Sequence, residues 1–194
     1  MQMNRPSTVV VAVLFPLLSS CSSEPGAAAA DQSAPATSAM VPAAAPEDVA
    51  TIDAIIAALY DVISGPAGEA RDWNRFRSLF TPEARLIPTS AATDSTRGSA
   101  RYTTAEQYVS GSGAMIEERG FFEGEIGRVT ERFENIAHAF STYESRWTAD
   151  GDVFQRGINS IQLMWDGERW WVTNIMWRGV GADATIPEQY LQHR

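Results

Sequence analysis

Three aromatic runs in the last third of the chain constrain its fold more than any other feature. They are NIAHAFSTYESRW (residues 135–147), FQRGINSIQLMW (154–165) and RWWVTNIMW (169–177). Each carries aromatic and apolar residues on both faces. Asp150-Gly151 and Asp166-Gly167 separate them, and an Asp-Gly pair flanked by β-branched and aromatic residues is the strongest short-range signal for a hairpin. An antiparallel meander is predicted.

Composition changes sharply near residue 46. Residues 47–194 hold all six tryptophans and nearly all the charged groups, enough apolar surface for one core. A single globular domain is predicted over 47–180, followed by a C-terminal tail at 181–194. The formal charge is −9 and lysine is absent. Phosphate binding needs a basic face, so nucleic acid is not expected as a partner.

Residues 1–20 combine Arg5 with the apolar run VVVAVLFPLL (9–18). That run is too short for a mature spanning helix and contains Pro16, so it reads as a cleaved signal peptide. Leu18-Ser19-Ser20-Cys21 resembles a bacterial lipobox, which implies cleavage before Cys21 and its lipidation; the alternative is an ordinary secreted protein. Cys21 is the only cysteine and has no internal disulfide partner. Ser22 after it implies, by the same resemblance, the outer membrane, with the protein in the cell envelope facing the periplasm. Residues 21–46 are rich in Ala, Pro and Ser, and are expected to be the lipidated cysteine and a disordered tether.

From Glu47, Ile52, Ile55, Ile56, Leu59 and Ile63 recur at the spacing of one helix face. Asp72 is a plausible N-cap for a second, aromatic helix through Trp73, Phe76, Leu79 and Phe80, ended by Thr81-Pro82. ARLI (84–87) is a brief strand, and 88–102 a polar loop. A third helix starts at Thr103 or Thr104 with Glu106 or Gln107 three residues on, and ends by Gly120. FFEGEIGRVTERF (121–133) is a long strand at the rim, with bends or bulges at Gly124 and Gly127. Helices followed by an antiparallel sheet give an α+β plan.

This order, with DWNRFRSLFTPEARL (72–86) and DGERWWVTNI (166–175), resembles the nuclear transport factor 2-like superfamily in its SnoaL-like branch. The resemblance covers about residues 47–178. It implies a cone of curved antiparallel sheet closed by three N-terminal helices around an apolar pocket, and frequent homodimers. Its members include isomerases, dehydratases, cyclases and proteins with no known reaction.

With hairpin loops of even length, His138, Phe140, Thr142 and Glu144 share a face with Asn159, Ile161, Leu163, Trp170, Val172 and Asn174. That face mixes apolar and polar groups as a ligand pocket does. Tyr60, Trp73, Phe76 and Tyr108 from the helices close over it. A small, mainly apolar molecule is the expected partner. The opposite face, with Ile158, Trp171, Ile175 and Trp177, is expected to form a dimer interface. His138 is the first candidate for a general base, because imidazole titrates nearest neutrality; a satisfied structural histidine is the bland alternative. Glu144 is the second candidate, yet six strand residues separate the two by about 20 Å, so they form no dyad. Arg128, Arg132 and Arg146 either meet an anionic ligand or pair with Glu123, Glu125 and Glu131. No spacing suggests a metal, phosphate loop or cofactor. Gly111-Ser112-Gly113 lacks the strand-to-helix setting of a nucleophile elbow and reads as a packing or flexibility feature. Whether the chain is an enzyme stays open between acid-base catalysis, binding and a purely structural domain.

Overall fold

The computed structural model describes residues 41–193. The leader, Cys21 and most of the tether lie outside the described residues. The run predicted as one helix from Glu47 is two, while the next two helices begin at the caps read from the sequence. α1 (Pro46–Val49) is one turn, and α2 (Ile52–Ile63) starts at Thr51, whose hydroxyl accepts from the Ala54 amide at 3.0 Å. α3 (Trp73–Ser78) starts at Asp72, whose carboxylate accepts from the Arg75 amide at 2.8 Å. α4 (Ala105–Arg119) has a complete capping box between Thr104 and Gln107. Arg75 ties α3 back to α1 through paired contacts to Asp48 at 2.7 and 2.8 Å. Hydrogen bonding from Arg75 holds the Asp48 carboxyl below the usual carboxylate range.

Six strands form one sheet in the order β2-β1-β6-β5-β4-β3. They are β1 (Phe80–Ser90), β2 (Ser99–Ala100), β3 (Phe122–Phe133), β4 (Ile136–Arg146), β5 (Val153–Trp165) and β6 (Trp170–Gly181). Strands β3 to β6 are the predicted meander. β1 departs from the expected antiparallel sheet because it runs parallel to β6, and it is 11 residues long where only ARLI reads as strand. Pro82 hides it. That proline sits inside the register shift between Phe80 and Arg85, where the missing amide costs no ladder bond.

One face of β4, β5 and β6 packs against the helices. Ala137, Ala139 and Tyr143 of β4, Ile161 and Leu163 of β5, and Trp170, Val172 and Ile175 of β6 join Ile55, Ile56, Leu59 and Phe76 in the buried core. The other face is crossed by the residues predicted as a tail. The Thr142 hydroxyl donates to the Tyr190 carbonyl at 2.7 Å, the Arg128 amide donates to the Gln192 carbonyl at 2.8 Å, and the Tyr190 ring meets Phe140 edge-on at 5.1 Å.

Arg71 fastens the end of α2 to the following loop. Only 8 % exposed, its guanidinium donates to the carbonyls of Ile63, Gly65, Pro66 and Glu69. Those carbonyls lie at and beyond the negative end of the α2 dipole. A Cβ on Gly65 would come within 2.6 Å of the guanidinium, so only glycine leaves room for it. Arg71→Lys keeps the charge but loses the planar fork, and should lower stability by about 2–3 kcal/mol. The urea unfolding midpoint checks this.

Candidate functional site

Between the helices and the inner sheet face lies a cavity of about 230 Å³. Its wall is mostly apolar, with Leu59, Phe76, Phe121, Ile161, Ile175 and Trp177 among its residues. Tyr60, Tyr108, Tyr143, Glu123, Gln155 and Asn159 add the polar groups. Tyr108 stacks on Phe76 at 5.3 Å and meets the edge of Trp177 at 6.4 Å, joining α4 to the sheet. Two glycines on β5 and β6 make room for the polar wall. A Cβ on Gly157 would meet the Tyr143 hydroxyl at 2.5 Å, and one on Gly179 would meet the Gln155 amide group at 2.7 Å.

Glu123 is the distinctive group. Its backbone is held to the end of α2 by Ser64, whose hydroxyl accepts from the Glu123 amide at 3.0 Å and donates to the Tyr60 carbonyl at 2.7 Å. Its carboxyl accepts from the Ser145 hydroxyl at 2.8 Å and lines the cavity. It keeps some accessible surface there, but protein packs densely around it. Burial pushes the carboxyl up to about 7, against hydrogen bonds from Ser145 and Asn159 that favour its charged form. Burial, with the nearby Glu123 charge second, also raises the phenols of Tyr60, Tyr108 and Tyr143, so all three stay neutral.

A second polar chain runs beside it. Ser141 donates its proton to Glu125 at 2.5 Å, which leaves Tyr60 as the donor in its 2.6 Å contact with Ser141, and Asn159 donates to the Tyr60 oxygen at 3.0 Å. The direction is therefore fixed from Asn159 through Tyr60 and Ser141 to Glu125, which lies 3.7 Å from Arg128.

Of the predicted pocket residues, Tyr60, Phe76, Tyr108 and Asn159 line the cavity. Leu163 and Trp170 are buried in the core rather than in the cavity wall. Trp73 braces α3 against α4, its indole donating to Glu117 at 2.7 Å while its ring lies 3.2 Å from where a Gly113 Cβ would be. Gly113 is thus a packing position, whereas Gly111 has open space around it and Ser112 lies on the cavity wall.

His138, Phe140 and Asn174 are not in the pocket. They face away from the helices, with His138 Nε2 2.9 Å from the Ser160 hydroxyl and its ring against Phe140. Glu144 is on that face too, held by Arg146 at 2.7 Å and by Arg156 at 2.7 Å. It is an ion-pair hub, not an acid facing the cone. The expected interface is split in the same way: Ile158 and Trp171 point outward, but Ile175 and Trp177 point inward.

Two single-residue bulges account for these corrections. The loop after β4 is even in length, as assumed, giving the pair Arg146↔Val153. The next pair is Ser145↔Gln155, so Phe154 is an extra residue and every later side chain of β5 changes face relative to β4. Phe154 stacks on Trp147 at 4.0 Å and lies near Phe121, which fixes the bulge. On β6 the register moves from Leu163↔Val172 to Gln162↔Asn174; Thr173 is extra, and Ile175 and Trp177 turn inward.

Among the described residues no three His, Cys, Asp or Glu side chains are grouped as a metal site requires. No described helix is long and apolar enough to cross a membrane.

No protein-family model and no curated protein matches the chain in sequence. Solved structures match in shape. A Nostoc punctiforme protein of unknown function with a cystatin-like fold aligns at a TM-score of 0.51 and 11 % identity, over 71 % of this chain and 92 % of that one. An uncharacterised Caulobacter vibrioides protein with a cystatin-like fold aligns at 0.50 and 16 %, over 69 % and 89 %. A Silicibacter pomeroyi NTF-2-like protein of unknown function aligns at 0.45 and 12 %, over 68 % and 94 %. The likeness is one of fold: the chain carries an α+β cone of curved sheet closed by helices, the fold called cystatin-like in the first two of these structures.

Proposed function

We propose that the protein is a lipid-anchored envelope protein whose cone binds one small, mainly apolar molecule. The cavity carries this reading: it holds about 230 Å³ and is walled by aromatic and aliphatic side chains with a few convergent polar groups, the lining that small-molecule sites have. Native mass spectrometry of the protein purified from membranes tests it. A co-purified small molecule is expected, and Trp177→Ala or Tyr108→Ala should lose it; a wild-type protein that holds no small molecule under any condition ends the reading.

The anchor is proposed from the sequence alone. Cys21→Ser should move the protein from the membrane to the soluble fraction or leave its precursor unprocessed. An unmodified, soluble wild-type chain by intact mass would refute it. A homodimer through the outer sheet face goes with the same reading, with Ile158 and Met176 as its apolar contacts in place of Ile175 and Trp177.

A second reading is a cofactor-free acid-base enzyme, and the placement of Glu123 favours it. A carboxyl poised near 7 in an apolar wall suits proton transfer at neutral pH better than the outward-facing His138 or Glu144. Recovery of a chemically altered ligand after incubation with wild type, but not with Glu123→Gln, distinguishes enzyme from binder.

A further inference from the structure

Carboxylates packed into this domain are met by arginine. Asp48 is held by Arg75, Glu144 by Arg146 and Arg156, and Glu125 lies near Arg128. Glu123, on the cavity wall, differs: the groups that approach its carboxyl are the Ser145 hydroxyl and the Asn159 amide, both neutral. An ionised carboxylate is acceptor-only, with room for about four hydrogen bonds. Two neutral donors leave acceptor capacity, and it lies on the cavity wall.

The rest of the wall carries no positive charge to answer it. Facing Glu123 are Tyr60 from α2, Tyr108 from α4 and Tyr143 from β4, with Glu125 further along β3. The phenols are neutral and supply no positive charge. Ionising Glu123 in this setting is costly unless the positive charge comes from outside the protein. Trp177, Phe76, Phe121 and the tyrosines also offer ring faces, which attract cations. The net charge of −9 draws the same kind of ligand toward the protein.

We infer that the cavity selects small apolar molecules bearing a single protonated amine, with Glu123 as the counter-ion and the aromatic wall around the hydrocarbon part. This rests on the ligand-pocket reading above and adds the charge of the ligand to it. Bound amines of this kind would complete Glu123 as Arg75 completes Asp48.

Three probes of one shape separate the two levels. Octylamine, 1-octanol and octanoate are titrated into the full-length protein at about pH 8 and followed by calorimetry and tryptophan fluorescence. Octylamine is expected to bind at least about tenfold tighter than 1-octanol, the size of one well-formed charged contact, with octanoate weakest. Glu123→Gln should abolish the preference for octylamine over 1-octanol. In wild type the preference for the amine should shrink as the pH is lowered from about 8 toward 5, because protonated Glu123 no longer supplies the charge. Equal binding of octylamine and 1-octanol by wild type overturns the amine inference and keeps the pocket. Failure of all three to bind overturns both.

Discussion

Glu123→Gln is expected to be more stable than wild type at pH 8 by up to about 3 kcal/mol, and equal to it below about pH 4.5. The carboxyl is raised from 4.5 in the unfolded chain to about 7 in the folded one, chiefly by burial. Between those values the folded state binds the proton and the unfolded state has released it. Stability from this group is therefore complete below about 4.5, falls as the pH rises toward 7, and is gone above it. Glutamine keeps an oxygen for the Ser145 hydroxyl and never has to carry charge in the cavity. Asp48 acts in the opposite sense: its carboxyl is lowered by Arg75, so its contribution is lost only as the pH falls through the acid range. That effect is common to both proteins and cancels in the comparison. Urea unfolding at several pH values between 4.5 and 8 gives the difference directly. A wild-type minus variant difference that stays constant over this range would place Glu123 in water, outside any apolar wall. Octylamine added near pH 8 should reduce the variant's advantage, because a cation that binds only the folded wild type stabilises it.

Local chemistry was legible in the sequence; long-range register was not. Asp72 and the Thr104–Gln107 box announce their helices because a cap is decided by residues three apart. The meander is legible for the same reason, since each Asp-Gly pair sits beside the strands it joins. Which face of the meander lines the cone depends on Phe154 and Thr173, and a single extra residue leaves no mark on composition or alternation. The even-loop assumption was satisfied at both hairpins and still gave the wrong face to His138, Phe140 and Glu144. Tyr60, Phe76 and Tyr108 escaped this error because helix periodicity alone turns them inward. Glu123 was missed for a related reason. Glu123, Gly124 and Glu125 lie on a strand with charges on both faces, which reads as a rim. The available signal was Phe121, two residues earlier and on the same face, an aromatic that belongs to the cavity wall.

Trp177→Glu should abolish ligand binding and cost about 3–5 kcal/mol, whereas Met176→Glu should cost less than about 1 kcal/mol and leave binding intact. The two residues are neighbours on β6 and point to opposite sides of the sheet. Trp177 lies opposite Asn159, packs edge-on to Tyr108 and forms part of the cavity wall. Replacing it removes that aromatic contact and brings a second carboxyl into the cavity that holds Glu123. Like charges there disfavour ionisation of both, so one must stay protonated or the helices must move off the sheet. Met176 is 38 % exposed on the outer face, in the shallow groove with Phe140 and Ile158. A glutamate there reaches water, and its effect should appear in self-association alone. Urea unfolding, 1-octanol binding and light scattering on the two variants read the three consequences separately. If Trp177→Glu folds and binds normally while Met176→Glu does neither, the Thr173 bulge is absent and the sheet presents its other face to the helices.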